Sequence, residues 1–461
     1  MSAAIFRAVF RRILIANRGE IARRVIRACN ALGIESVAVY STADADAPYV
    51  AEATLSVCIG PPRAAQSYLL PEAILQAAAQ TEAQAIHPGY GFLAENALFA
   101  QMCQQERIAW IGPPPGVIRL MGEKSPAKEA MRIAGLPLVP GSDGLLSSLE
   151  EALSVAETIG YPVLLKADAG GGGKGMRRAD SPDDLREAWV AARGEALASF
   201  GNDDVYLERY LTSGRHIEFQ LLADSWGNAV HLFERECSVQ RRHQKLLEEA
   251  PSVALSHEQR MAMGNRVAAA AAAIGYVGAG TVEFLQDPES GELFFIEMNT
   301  RLQVEHPVTE EITGIDLVQA QIRIAAGEKL WFTQDDLTIT GHAIEVRINA
   351  EDPDDGFRPG PGRLTRLVPP SGERVRWDAA VVEGSRISPY YDSMVAKLIT
   401  WAPDRNAAIE KTLAALNELT VQGVPTTKSL HQAVLSAPDF RAGDLRVGVI
   451  PGRPDLSETV V

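Results

Sequence analysis

Cysteine is scarce in this sequence. Its 461 residues hold four, Cys29, Cys58, Cys103 and Cys237, and no CxxC pair. That spacing indicates neither a zinc site nor a disulfide framework, and a reducing cytosol fits it best. Cys237 lies in a dense polar segment but reads as a packed thiol rather than a nucleophile. Long apolar runs are also missing, so nothing in the chain has the length of a bilayer-spanning helix. Positive charge is in deficit: 44 Lys and Arg stand against 59 Asp and Glu, a net charge of −15. This argues against a nucleic-acid binder with a broad basic face but allows a local basic pocket. The first fifteen residues carry three arginines and no acid, yet no small-residue cleavage site follows. Residues 13–17 (ILIAN) read as a first strand rather than as part of a targeting peptide.

What is present is ordinary for a globular enzyme: 46% hydrophobic and 22% charged residues. At about 150 residues per domain, the length suggests about three domains. The first 120 residues alternate strand and helix. Strands are expected at 13–17, 36–40, 54–59, 83–86 and 108–111, with helices at 20–32, 71–80 and 96–106. In the first helix Ile21, Val25, Cys29 and Leu32 share a face, and Gly33 ends it. Repeated βαβ units imply a parallel sheet with helices on both faces. The first turn is NRGE, which does not match the dinucleotide fingerprint GxGxxG. A small segment at 138–210 follows, entered through Pro137, Pro140 and Gly141, and 211–461 is richer in strands. The alanine cluster 268–273 reads as a packed helix, and the chain after about Arg441 as loose.

Three segments carry candidate chemistry. Residues 166–178 (KADAGGGGKGMRR) follow an apolar strand at 161–166. Lys174 is followed by glycine, so the Walker A pattern fails. The run reads as the tip of a β-hairpin whose backbone amides, with Lys174 and Arg177, meet an anion, or else as a plain surface turn. A second hairpin spans 281–300. Glu297, Asn299 and Arg301 alternate on one face, with Ile296 and Met298 on the other, and Glu283 stands on the partner strand. Two carboxylates and an amide there suit Mg²⁺, and Phe284, Phe294, Phe295 and Ile296 imply deep packing behind them; the alternative is a solvated face. The charged run 234–245 reads as a solvated loop. Glu305, beside arginines, reads as a general base or a surface ion pair.

Together these segments resemble one family, the biotin carboxylase component of biotin-dependent carboxylases, within the ATP-grasp superfamily. The resemblance runs from about Ile13 to about Gly443. It rests on ILIANRGEIA, HPGYGFLAEN, MGEK, GYPVLLKADAGGGGKGMR, ERYLTSGRHIEFQ, ERECSVQRRHQKLLEEAP, EMNTRLQVEHPVTE, GHAIEVRINAED and PYYDSMVAKLI. It implies an α/β ATP-grasp fold with a parallel βαβ N-terminal domain (1–137), a small mobile lid (138–210) and a larger mixed α+β C-terminal domain (211–461).

The resemblance also implies roles. Lys124, Lys166, Gly172 and Gly173 would meet the ATP phosphates, and Glu208, Arg209, Tyr210 and Leu211 would line the adenine pocket. His216, Gln240 and His243 would touch ribose and phosphates. Glu283, Glu297 and Asn299 would hold Mg²⁺ or Mn²⁺. Lys245, Arg301, Gln303 and Val304 would cradle bicarbonate, Glu305 would be its base, and Arg347 would face biotin. Asp168-Ala169 departs from the small residues usual there, and the chain's end departs from the usual family ending. The biotin-accepting Met-Lys-Met signature is absent, because no Met adjoins a Lys. A separate carrier protein and carboxyltransferase are therefore implied. A cytoplasmic homodimeric subunit of an acetyl-CoA carboxylase is expected, with propionyl-CoA, methylcrotonyl-CoA or pyruvate types as alternatives. Two rivals are another ATP-grasp ligase and a non-catalytic nucleotide sensor.

Overall fold

The computed structural model describes residues 10–168, 175–211 and 214–457, so Gly172 and Gly173 lie outside the described residues. Five short strands come first: β1 (Arg12–Ile15), β2 (Glu35–Ser41), β3 (Leu55–Gly60), β4 (Ala85–His87) and β5 (Ala109–Trp110). They form a parallel sheet in the order β3-β2-β1-β4-β5. Central β1 buries Ile13, Leu14 and Ile15 completely. Helices cover both faces, which is why this strand is a continuous apolar run rather than an alternating one. Helix α1 (Gly19–Ala31) buries Ile21, Val25 and Cys29, with Leu32 half-buried beyond it. Gly33 stops it at φ +69°, its N–H returning to the Asn30 carbonyl at 3.1 Å.

Helix α2 (Lys124–Ile133) leads into a small antiparallel sheet. Its strands are β6 (Val163–Ala167), β7 (Met176–Ala179) and β8 (Val205–Arg209), in the order β7-β6-β8. Helix α3 (Pro182–Phe200) packs on it through Leu185 and Trp189, against Val163, Leu165 and Leu207. Lys166 pairs with Met176 across β6 and β7; the glycine run and Lys174, expected at a hairpin tip, lie outside the described residues.

The remaining chain builds one eight-stranded antiparallel sheet. Its members are β9 (Arg215–Ala223), β10 (Ala229–Arg241), β11 (Gln244–Ala250), β12 (Gly278–Gln286), β13 (Leu293–Asn299), β14 (His342–Asn349), β15 (Val375–Ala379) and β16 (Met394–Ala402). The order is β13-β12-β9-β10-β11-β14-β16-β15. Helix α4 (His257–Ala273) packs on β9 and β10 through Val267, Ala270 and Ala271. Helix α5 (His306–Thr313) caps the middle of the sheet.

Three expectations fail. Residues 234–245 are not a solvated loop: they run through β10 and β11 at the centre of the large sheet, with Glu234, Arg235 and Glu236 buried. Their partners are remote in sequence. Glu234 meets Arg260 at 2.7 Å, and Glu236 accepts from Ser252 at 2.8 Å. Ile296 is exposed rather than packed, because a register shift between the Glu283–Glu297 and Phe284–Phe295 pairs bulges it outward. The chain beyond Arg441 is not loose as far as it is described. Leu445 and Ile450 are buried, and the Val447 N–H donates to the Gly214 carbonyl at 3.0 Å.

Candidate active site

The large sheet brings most of the candidate residues together on neighbouring strands. β9, β10, β11 and β12 lie side by side, and their alternate residues point to one face. His216 and Glu218 come from β9, Arg235 and Gln240 from β10, Lys245 from β11 and Glu283 from β12. The loop after β13 adds Arg301, Gln303 and Glu305.

Lys245 is the hub. Its ammonium donates to Glu283 at 3.0 Å, Glu305 at 2.7 Å and Gln303 at 3.2 Å, and also to Glu218. Glu283 further accepts from Asn299 and Gln303, both at 2.9 Å, and lies 3.0 Å from His216 Nε2. Burial disfavours its charge, but Lys245 and His216 hold the carboxyl well below the usual range. Burial likewise opposes a charged His216, yet the Glu283 carboxylate raises it. Gln240 reaches His216 Nδ1 at 3.3 Å.

Glu305 is nearly fully buried, which rules out the surface-pair alternative. It sits between Lys245 and Arg347, whose Nη2 donates to it at 2.9 Å. Despite burial, those two cations hold its carboxyl well below the ordinary range. Arg347 also donates through Nε to Glu248 at 2.7 Å. Arg301 reaches Asn299 Oδ1 at 2.9 Å and Glu95 at 2.8 Å. The Val304 carbonyl is taken by Lys397 at 2.6 Å.

A second cluster lies at the small sheet. Glu208 is clamped by Lys166 and by Lys128, and against the effect of burial they lower its carboxyl to about 2. Lys124, at the start of α2, has its ammonium lowered by burial and by Lys166, with Glu297, Asp168 and Glu208 opposing. The N–H groups of Arg209 and Tyr210 are used on the Pro140 and Pro162 carbonyls. Their side chains turn elsewhere, Arg209 to Asp287 at 2.6 Å and Tyr210 under Arg178. His243 stands exposed at the tip of the β10–β11 hairpin with φ +63°, outside both clusters.

Comparison with known proteins identifies this arrangement. Residues 9–118 match the family model "Biotin carboxylase, N-terminal domain", and residues 345–451 match "Biotin carboxylase C-terminal domain". Between them, residues 123–333 match "Carbamoyl-phosphate synthase L chain, ATP binding domain". A biotin carboxylase of Nostoc sp. is 55% identical over 441 residues, 96% of this chain and 98% of the relative. The chain belongs to the biotin carboxylase family. A pyruvate carboxylase subunit of Methanothermobacter thermautotrophicus is 51% identical over 437 residues, 95% of this chain and 89% of that one. Among solved structures, the biotin carboxylase domain dimer of Hydrogenobacter thermophilus 2-oxoglutarate carboxylase, complexed with MgADP, ADP and bicarbonate, is 50% identical. It superposes with a TM-score of 0.90, covering 97% of this chain and 98% of that one. The architecture is the expected ATP-grasp α/β fold.

The chemistry of the donor set fits a hard divalent cation. Glu297 lies directly across from Glu283 on the β12–β13 pair, and among the described residues it is in no salt bridge. Desolvation and the Glu283 charge push its carboxyl up, with His216 and Lys245 opposing.

Sequence reading missed Lys128, Glu218, Arg235, Glu248 and Glu95. The first three had local signals. Lys128 is one helical turn after Lys124, Glu218 shares a strand face with His216, and Arg235 alternates with Glu234 and Glu236. Glu248 and Glu95 acquire meaning only through their contacts with Arg347 and Arg301.

Proposed function

We propose that this chain catalyses the ATP- and bicarbonate-dependent carboxylation of biotin on a separate carrier protein, through carboxyphosphate. The observation that carries this reading is Glu305 held between Lys245 and Arg347 beside the Glu283–Glu297 strand pair. One arrangement thus offers a base, two anion-binding cations and a place for a metal.

Lys124, Lys166 and the glycine hairpin, with Gly172 and Gly173, would hold the ATP phosphates. Leu211 would present its backbone to adenine, in the stretch begun by Glu208, and His216, Gln240 and His243 would approach the sugar and phosphates. Glu283, Glu297 and Asn299 would hold Mg²⁺ or Mn²⁺, which when bound neutralises phosphate charge during phosphoryl transfer. Lys245, Arg301, Gln303 and Val304 would seat bicarbonate. In the free protein Glu305 is a weak base, because Lys245 and Arg347 stabilise its charge. Once bicarbonate and biotin draw on those cations, its basicity rises where a proton must be taken. Arg347 keeps its Nη1 group without a partner among the described residues, which suits it to stabilise the developing biotin enolate oxygen.

The test is phosphate release with ATP, Mg²⁺, bicarbonate and free biotin, each omitted in turn. Loss of the bicarbonate requirement would sink the reading. Arg347→Ala is expected to lower biotin carboxylation by about 100-fold while leaving the KM for ATP within about twofold. Equal losses in both would contradict its assignment.

For the whole system, the match to 98% of the Nostoc biotin carboxylase supports a separate carrier, with a carboxyltransferase taking the carboxyl group onward. Our reading is a homodimeric, cytoplasmic subunit of an acetyl-CoA carboxylase. The 51% identity to a pyruvate carboxylase component supports a second reading, in which the acceptor is a 2-oxo acid. Assay of the reconstituted complex with each acceptor separates the two. No helix among the described residues is long and apolar enough to cross a membrane.

A further inference from the structure

Beneath Arg347 lies a group of charges that the reaction above does not use. Glu248 on β11 and Glu345 on β14 are directly opposite in the antiparallel ladder, and both are fully buried. Opposed residues in such a ladder bring their Cβ atoms to about 5 Å, within reach for the two carboxyl groups to meet. Arg347 is two residues along β14 from Glu345 and so shares its face. Lys397 on β16 is opposite Arg347.

The polar atoms in this group are unequally satisfied. Glu248 Oε1 accepts from Arg347 Nε at 2.7 Å, whereas Glu248 Oε2 has no partner among the described residues. Both oxygens of Glu345 are likewise buried and without a partner. Lys397 does not serve Glu345, because its ammonium is spent on the Val304 carbonyl at 2.6 Å and on Glu20 at 3.1 Å. Arg347 gives its Nε and Nη2 to Glu248 and Glu305, and its Nη1 does not reach Glu345, whose oxygens have no partner. Lys245, whose charge also acts on Glu248, serves Glu218, Glu283 and Glu305. Two buried carboxylates facing each other with three free oxygens would be strongly unfavourable. One hydrogen removes the conflict, since an acid and a carboxylate side by side share a proton.

We propose that Glu345 is a positioning residue for biotin carboxylation: it stays protonated and donates to Glu248 Oε2, which fixes Glu248 so that its Oε1 aims Arg347 at biotin. No bond is made or broken; the acid acts only through Arg347. The electrostatics of the site agree with the geometry. Burial drives Glu345 well above the ordinary carboxylate range despite Lys397, and burial pushes Glu248 to about 7 against Arg347. The proposal rests on the assignment of Arg347 to biotin, but the presence of the proton does not.

Infrared spectroscopy of the full-length protein near neutral pH tests the proton directly. The wild type is expected to show the carbonyl stretch of a buried carboxylic acid, shifted by deuterium exchange and lost in Glu345→Gln. Absence of that band, or its persistence in Glu345→Gln, overturns the proposal whatever Arg347 does. Kinetics test the positioning. Glu345→Gln keeps a donor, so its biotin-dependent turnover should stay within about twofold of wild type and lose the alkaline decline that deprotonation of the pair imposes. Glu345→Met lacks a donor and should lose about tenfold in biotin-dependent turnover, with bicarbonate-dependent ATP cleavage in the absence of biotin unchanged. Equal biotin-dependent rates in the Gln and Met variants would overturn the positioning role.

Discussion

At Arg235, one guanidinium holds four side chains from three elements. It donates to Glu218 at 2.6 Å, Gln220 at 2.7 Å, Thr309 at 2.9 Å and Thr281 at 3.1 Å, and is itself wholly buried. Glu218 in turn holds Lys245, so Arg235 sets the floor on which the hub lysine stands. Replacing it by Met keeps much of the volume but strips Glu218 of a buried partner. Arg235→Met is expected to cost about 3–5 kcal/mol of unfolding free energy, read from chemical denaturation. Arg235→Lys should recover only part, because one ammonium cannot reproduce a planar fork. An Arg235→Met protein that unfolds at the wild-type denaturant concentration would show that the network contributes little. None of this was legible in the run 234–245 taken alone, since a charge is buried or solvated according to partners that sequence proximity does not reveal.

Among the larger elements, the contact of α4 with the large sheet is sensitive to side-chain size. Gly264 on α4 faces the buried His231 ring of β10, and a Cβ at that position would come within 2.5 Å of it. The ring is already packed edge-on between Phe219 and Phe233, so it has little room to yield. Gly264→Ala is therefore expected to destabilise by about 1–3 kcal/mol although alanine is the better helix former, with a lowered Tm as the readout. A raised Tm would mean that α4 can lift from the sheet at little cost. The alanine cluster 268–273 marked part of α4 in the sequence, whereas β10 was not readable, because its charged second half resembles a solvated loop. The exposed bulge at Ile296 was not readable either, because a single extra residue leaves the alternation of polar and apolar residues almost intact.

Across the whole molecule, six histidines are buried among the described residues, and burial holds four of them, His87, His231, His306 and His431, below the ordinary histidine range, which couples stability to pH. Burial lowers His87 to about 3 and His231 and His431 to about 4; the hydrogen bond from His431 to the Arg347 carbonyl, 2.7 Å, does not offset it. In the unfolded chain each would take up its proton near pH 6.5. The folded values are depressed, so the stability these groups contribute is present above about pH 6.5 and is lost as pH falls toward 4. Other buried acids titrate in the same range, so a difference measurement isolates the effect. The Tm of the wild type minus that of His231→Gln should grow from pH 4 to 6.5 and then level off. A difference independent of pH would mean that His231 titrates alike in the folded and unfolded states, so that burial does not disfavour its charge.

The sequence by itself determined the family, the alternation of strands and helices that makes the N-terminal sheet parallel, and the candidate residues for ATP, metal and bicarbonate. Those features reside in contiguous motifs and in periodicities of 2 and 3.6 residues, which need no knowledge of the rest of the chain. Tertiary structure alone decided which charges are partners. It set Glu305 between Lys245 and Arg347, and Glu248 opposite Glu345, and it packed the described part of the chain's end. The reason is physical: a charge in a strand is costly or favourable according to what lies across the sheet from it, and the antiparallel ladder brings together residues that stand far apart in the chain.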